Sequence, residues 1–140
     1  MQVFIVGTPI ETAMALDARR LRKQIIETTV ILDALSGAKA WSNHPCVLQY
    51  RGHEAWLEHY LNCLVAYENR AYDFAKVASM LADQSRPDWH CQSYYDQMKR
   101  RLHTKSPAHY KQWRHYGTSE ENYYYVDGEW RKYVNGKRIE

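Results

Sequence analysis

The spacing of apolar residues over positions 11–35 constrains the fold more than any other feature of the chain. Apolar side chains recur there every three or four positions, and the run stops at Ser36-Gly37, a common end for a helix. The spacing therefore predicts one long helix over 11–35. Ile26 and Val30 form a second apolar strip, so we expect this helix to be packed on two sides. Its main core face is predicted to contain Met14, Ala18, Leu21, Ile25, Thr28, Leu32 and Leu35.

Capping residues, prolines and glycines divide the rest of the chain. Residues 2–6 are mainly apolar and precede Gly7-Thr8-Pro9, which predicts a short strand or extended segment. Polar residues before Pro45 provide a helix start, with Asn43 as a candidate N-cap. Further helices are predicted over 45–69, 72–82, 92–103 and 107–115. Two aromatic runs near the C-terminus, 123–126 and 129–134, flank Asp127-Gly128 and predict a hairpin.

Together these elements predict a mainly α fold, a compact single-domain helical bundle with a small C-terminal β-hairpin. A chain of 140 residues has the size of one ordinary domain. We expect residues 1–116 to form the helical domain. Residues 117–140 would form an aromatic and basic hairpin extension packed on the same domain.

Several protein classes find no support in the sequence. The three cysteines are odd in number and lack Cys-x-x-Cys spacing, so we expect buried thiols and no disulfide framework. The histidines and cysteines lack metal-site spacing, and there is no glycine-rich phosphate loop, so we expect neither metal nor cofactor. The N-terminus lacks a basic signal region, and no window approaches the roughly 20 apolar residues of a membrane span. We expect a soluble, cytoplasmic monomer.

The basic residues form clusters along the chain, and many aromatic residues lie between these clusters or close to them. The net charge is only +3, but the basic residues cluster near positions 19–23, 99–101 and 131–138, among twelve tyrosines and five tryptophans. Such clusters suit a polyanion with stackable bases. On charge alone, solvated faces of an ordinary protein explain them equally well. Tyr110 and Trp113 could stack on a base, although a core position is favoured for both.

The polar side of the first predicted helix carries a distinctive group of charges. Arg20, Lys23 and Glu27 lie in a narrow lane between apolar strips. In a cleft, a carboxylate between two cations is a candidate catalytic group, because low dielectric strengthens the interaction between charges. Alternatively, Lys23 and Glu27 form an ordinary i, i+4 ion pair. The helical wheel leaves both interpretations open.

Beyond these patterns, the order of several short motifs resembles the pyrimidine-dimer DNA glycosylase family, of the endonuclease V type found in phages and bacteria. The likeness covers about residues 1–116. Its motifs are Leu16-Asp17-x-x-Arg20-Leu21-x-Lys23-Gln24-x-x-Glu27, Trp41-x-Asn43-His44-Pro45, Arg70-Ala71-Tyr72 and Pro107-x-His109-Tyr110.

The resemblance implies an N-terminal α-amine that attacks the sugar C1′ of a damaged nucleotide, assisted by a glutamate on the first long helix. An α-amine ordinarily has a pKa near 8 and is therefore partly neutral at physiological pH. Gln2 is bulky, so the initiator methionine should remain and the amine would belong to Met1. The catalytic carboxylate would be Glu27, unless a shifted alignment assigns that position to Gln24. The DNA-binding candidates are Arg20, Lys23, Gln24, Asn43, His44, Arg100 and Arg101.

We therefore expect a repair-type DNA glycosylase with or without AP lyase activity, acting on a damaged or modified pyrimidine in duplex DNA through a Schiff base. A target base in a duplex must first be unstacked. One alternative is a non-catalytic nucleic-acid-binding or inhibitor protein on the same fold. Another is a protein-interaction module that does not bind nucleic acid.

Overall fold

A computed structural model describes residues 1–69, 86–116, 121–126, 129–134 and 137–138. The helices are α1 (Pro9–Ala15), α2 (Ala18–Leu35), α3 (Pro45–Gln49), α4 (Glu54–Asn69), α5 (Gln92–Lys105) and a 3₁₀ helix (Lys111–Tyr116). The strands are β1 (Glu121–Val126), β2 (Glu129–Val134) and β3 (Lys137–Arg138). The predicted mainly α fold with a C-terminal hairpin is confirmed. The helix predicted over 72–82 lies outside the described residues.

The predicted helix over 11–35 is two helices. Thr8 caps α1 with a capping box, in which its hydroxyl accepts from Glu11 N at 3.2 Å and the Glu11 carboxylate accepts from Thr8 N at 3.4 Å. The backbone is then extended at Leu16 and Asp17. Asp17 N–H donates to the hydroxyl of Tyr110 at 3.0 Å. A tertiary contact thus helps hold the break, and the periodicity of the sequence carries no signal of it.

The buried face of α2 is rotated relative to the prediction. Its buried residues are Leu21, Gln24, Thr28, Ile31 and Ala34. Met14 is 54% exposed and Ala18 is also exposed, so both were wrongly assigned to the core. Ile26 is 56% exposed, and the prediction of packing on two sides is therefore wrong. The face rotates because α2 turns Gln24 towards the N-terminal segment as well as packing against α4.

The predicted helix over 45–69 is also interrupted. Helix α3 ends at Gln49, and Tyr50 is fully buried at the break. Gly52 has a φ of +90°, in the left-handed region that glycine adopts most easily. The N-cap of α3 is His44, whose Nδ1 accepts from Cys46 N at 3.1 Å, whereas Asn43 is exposed. The prediction of Asn43 as the N-cap is therefore wrong.

The core forms where α1 and α2 pack on α4 around the first residues of the chain. Residues 2–6 have no regular strand, but Val3 and Ile5 are completely buried. A stack of rings continues this core, with Trp56 lying 5.9 Å from Tyr50 and 5.2 Å from Tyr60 between ring centroids. An extended N-terminal segment therefore runs through the middle of the helical bundle.

The C-terminal part agrees with the sequence in outline. Helix α5 is two residues longer than predicted, and the α-helix expected over 107–115 is a 3₁₀ helix that begins only at Lys111. Strands β1, β2 and β3 form an antiparallel sheet in that order, with Glu121 opposite Val134. The turn predicted at Asp127-Gly128 lies outside the described residues. On β2, Trp130 contacts Trp89 at 5.2 Å between centroids.

The described residues contain three free cysteines, of which two are buried as expected and Cys91 is exposed. Within the same residues, none of the helices is long and apolar enough to cross a membrane. The division of the chain at residue 116 stays a prediction.

Candidate active site

The side-chain amide of Gln24 fixes the N-terminal segment. Its Oε1 accepts from Phe4 N–H at 3.0 Å, and its Nε2 donates to the carbonyl oxygen of Gln2 at 2.7 Å. Gln24, on α2, thus makes hydrogen bonds to residues 2–4 that a neighbouring strand would otherwise make. Tyr60 supports the arrangement from α4, because its hydroxyl lies 2.5 Å from Phe4 O and 2.9 Å from Gln24 Oε1. A buried, nearly fully hydrogen-bonded glutamine thus holds the start of the chain.

The carboxylate of Glu27 lies one turn further along α2, next to the chain's first peptide group. Its Oε2 accepts from Gln2 N–H at 3.3 Å and from Gln24 Nε2 at 3.3 Å. Three covalent bonds separate Gln2 N from the Met1 nitrogen, so these two atoms are within about 4 Å of each other. The structure therefore brings Met1, Gln24 and Glu27 together.

Lys23 belongs to the same region but faces solvent. Its Nζ lies 3.9 Å from Glu27 Oε1, which matches the predicted i, i+4 pair. The Lys23 side chain is 68% exposed, whereas that of Glu27 is 17% exposed. The carboxylate is thus sheltered at the end of the N-terminal segment, and the ammonium group remains accessible to a ligand from outside.

His44 and Cys46, at the start of α3, line the other side of this region. Burial lowers the pKa of His44; the positive N-terminal amine adds to this effect, and the negative charge of Glu27 opposes it. His44 is therefore within electrostatic range of both groups. Burial raises the pKa of Cys46 to about 12, against a hydrogen bond from the Val3 backbone. The thiol is neutral at physiological pH, as expected for a packing residue rather than a nucleophile.

Arg20 is already engaged by a carboxylate. Its Nη1 lies 3.2 Å from Asp17 Oδ2, and Asp17 also accepts a short hydrogen bond from the hydroxyl of Tyr110. The Asp17 pKa is lowered: burial acts to raise it, but the bonds from Tyr110 and Arg20 outweigh burial. Tyr110 is completely buried and stacks on Trp113 at 5.2 Å between ring centroids. The favoured core position is confirmed for Tyr110, and Trp113 packs against the core while partly exposed.

Arg100 and Arg101 lie on α5, shortly after Met98. The sulfur of Met98 accepts a hydrogen bond from Gln2 Nε2 at 3.6 Å, so α5 borders the start of the chain. Sequence reasoning did not select Met98 or Tyr60 as neighbours of the site, because both belong to ordinary apolar stripes. No sequence motif marks such neighbours of the site, because their position depends on how the helices pack.

A cavity of about 320 Å³ lies at the other end of the N-terminal segment. Its lining is separate from Met1, Gln24, Glu27 and His44. The lining residues are Val6, Gly7, Thr8, Pro9, Glu11, Trp56, Arg86, Gln92, Tyr95 and Lys99. Within the described part of the chain, no cluster of three or more His, Cys, Asp or Glu residues could hold a metal ion.

Comparison with protein families gave one informative result. A family model described as pyrimidine dimer DNA glycosylase matches residues 1–80. The matched range contains Met1, Gln24, Glu27 and His44, whereas α5 and the C-terminal strands lie beyond it. Searches of curated proteins and of solved structures gave no significant match.

Proposed function

Because this chain belongs to the pyrimidine dimer DNA glycosylase family, we propose that it excises a damaged pyrimidine from duplex DNA with the Met1 α-amine as its nucleophile. The observation that supports this most directly is the 3.3 Å hydrogen bond from Gln2 N–H to Glu27 Oε2. In this arrangement a sheltered carboxylate lies beside the first residue of the chain. That pairing is what nucleophilic catalysis by an amine requires, since the carboxylate can accept a proton and stabilise positive charge.

In the proposed reaction, the neutral amine attacks the sugar C1′ and forms a C1′–N bond. The bond from C1′ to the damaged base breaks, and its electron pair leaves with the base. Glu27 then accepts a proton from the nitrogen and returns it to the ring oxygen as the sugar opens to a Schiff base. Loss of a C2′ proton expels the 3′ phosphate, which would add strand cleavage. Before it accepts this proton and after it returns it, the ionised Glu27 carboxylate stabilises positive charge on the sugar and on the Schiff base.

The surrounding polar residues are proposed to bind the DNA. Lys23 is exposed beside Glu27 and can reach a phosphate close to the reacting sugar. Arg20 is oriented by Asp17, so it offers a pre-positioned guanidinium at lower entropic cost. Asn43 and His44 would contact the strand from the start of α3.

Arg100 and Arg101 are proposed to contact the backbone from α5, on the other side of the first residues. The proposed setting is the cytoplasm of a bacterium or of a phage-infected host. The non-catalytic alternative retains the same DNA contacts but forms no covalent intermediate.

Trapping with borohydride tests this function. The purified protein, with its N-terminus checked by mass spectrometry, is incubated with duplexes containing a thymine dimer or an abasic site. We expect an adduct at Met1 from the dimer duplex, and Glu27→Gln should slow its formation by about 100-fold or more. Glu68→Gln is the matched control, since this glutamate pairs with Arg22 at 2.7 Å on the surface.

The outcomes separate the alternatives. An adduct from the abasic duplex alone would support the lyase step and refute excision of a thymine dimer. Absence of an adduct from both duplexes, together with salt-sensitive binding, would favour the non-catalytic binder.

A further inference from the structure

Trp41 combines two features that are unusual for a tryptophan. Its φ is +65°, and it is the only non-glycine residue with positive φ in the described part of the chain. Left-handed backbone is disfavoured for bulky residues, whereas glycine and asparagine adopt it more easily. The indole is also 56% exposed, so burial offsets only part of this strain. Stability alone gives no reason for a tryptophan at this position.

The turn that holds Trp41 lies directly before the candidate site. His44 N–H donates to the carbonyl oxygen of Trp41 at 2.9 Å, and Ser42 N–H donates to Lys39 O at 3.4 Å. The indole meets the His44 ring edge to face, with centroids 5.7 Å apart. His44 is the N-cap of α3, which packs against α2, the helix that carries Glu27. Trp41 is thus an exposed ring in contact with His44, next to the candidate site.

We propose that the indole of Trp41 stacks on a nucleobase of the DNA substrate beside this site. This inference rests on the proposed function, which requires a base to leave the helical stack before the amine can reach C1′. An unstacked base exposes an aromatic face, and a tryptophan ring can replace the neighbour that it has lost. Lys39 and Asn43, which flank Trp41 and are exposed, can bind the adjacent backbone.

The strain at Trp41 fits this role. Backbone strain persists where the surrounding turn fixes it, and it is concentrated at sites that bind ligands. At positive φ, a side chain points in a different direction from the one it would take in a turn with negative φ. The contact with His44 favours this ring position before DNA arrives, which reduces the ordering cost of binding.

The test compares two substitutions of Trp41 in the full chain. Trp41→Asn suits left-handed backbone and removes the ring, whereas Trp41→Phe retains an aromatic face. Affinity is measured without borohydride for a duplex with a central thymine dimer and for the same duplex undamaged. Loss of one stacked base lowers affinity by about 5- to 150-fold. We expect this loss for Trp41→Asn on the dimer duplex, a smaller one on the undamaged duplex, and near wild-type binding for Trp41→Phe.

Controls separate stacking from folding and from catalysis. Met14→Gln removes a similarly exposed apolar side chain from α1 and should leave both affinities unchanged. Urea unfolding should show Trp41→Asn to be at least as stable as the wild type, because strain is relieved. Equal dimer affinity of Trp41→Asn and the wild type overturns the stacking proposal, as does a wild type that binds neither duplex. A wild type that binds but traps no adduct contradicts the proposed chemistry alone, since the affinity comparison still decides the role of Trp41.

Discussion

Replacing Gln24 by leucine tests how the start of the chain is held. The two side chains have similar size, but leucine cannot bond to Phe4 N or to the carbonyl oxygen of Gln2. The carbonyl oxygen of Phe4 keeps its hydrogen bond from Tyr60. Two other backbone groups, Phe4 N–H and the carbonyl oxygen of Gln2, lose their main partner. The substitution therefore removes hydrogen bonds while it preserves most of the packing around α2.

The expected loss of stability follows from those two groups. A buried backbone group left without a partner costs about 1–3 kcal/mol, so the pair costs about 2–6 kcal/mol. Greater apolar burial of leucine offsets about 1 kcal/mol of this. The free energy of unfolding should fall by about 1–5 kcal/mol, a large part of the roughly 5–15 kcal/mol of an ordinary domain.

Urea unfolding followed by circular dichroism measures this loss. Gln49→Leu is the control, because the Gln49 side chain makes only a weak contact to Cys46 Sγ at 3.8 Å and its replacement should cost less than about 1 kcal/mol. Where both variants remain folded, Gln24→Leu should slow adduct trapping by about 10- to 100-fold, because the amine is no longer held near Glu27. Wild-type stability together with wild-type trapping for Gln24→Leu would refute the reasoning.

Gln24→Glu distinguishes the two candidate positions for the catalytic carboxylate. The change keeps an acceptor for Phe4 N but removes the donor to Gln2 O, and it introduces a second carboxylate about 3.3 Å from Glu27. Repulsion between like charges should destabilise the protein and slow trapping. If the double variant Gln24→Glu, Glu27→Gln instead traps as fast as the wild type, the carboxylate works from either position.

Three further predictions concern groups elsewhere in the fold. Burial lowers the pKa of His90 to about 3, so between about pH 6.5 and 3 its proton binds mainly to the unfolded chain. His90 should therefore lower the unfolding free energy by about 1.4 kcal/mol per pH unit on acidification through this range, in addition to the effect of the carboxylates. The urea midpoints of His90→Gln should depend less steeply on pH than those of the wild type, and an equal dependence would contradict this. Cys91 should react with iodoacetamide at least tenfold faster than Cys46, because Cys91 is exposed and a hydrogen bond with Ser93 lowers its pKa, whereas Cys46 is buried. Equal labelling rates, measured by mass spectrometry, would contradict this. Tyr110→Phe should cost about 1.5–3 kcal/mol in urea unfolding, because Asp17 loses its hydroxyl partner; an unchanged midpoint would rule out that contribution.

Periodicity predicted the helices well and their interruptions poorly. The break before α2 depends on Asp17 bonding to a residue 93 positions away, which the sequence pattern does not contain. The break before α4 did have a local signal in Gly52, but its apolar neighbours continue the helical spacing across it. Tertiary contacts therefore help to fix where the helices begin and end, which the spacing of apolar residues does not determine.

The candidate site was predictable only in part. Helical spacing put Lys23 and Glu27 on one side of α2, and the family resemblance connected Glu27 with the N-terminal amine. The buried role of Gln24 was not predictable, because glutamine is usually exposed. Trp41 belongs to one of the motifs of the family resemblance, but only the backbone conformation reveals its strain.

Residues 2–6 explain why these features belong together. Chain termini usually fray, because ordering a few residues costs about 1–2 kcal/mol each in backbone entropy. Here burial of Val3 and Ile5 contributes about 1.5–3 kcal/mol per side chain, and Gln24 satisfies the backbone groups between them and the first residue. The segment is therefore already ordered in the free protein, before the proposed substrate binds. In the proposed reaction, a flexible N-terminus would have to bring its amine next to Glu27 in each turnover, whereas this segment keeps the two groups close to each other at the end of a packed core.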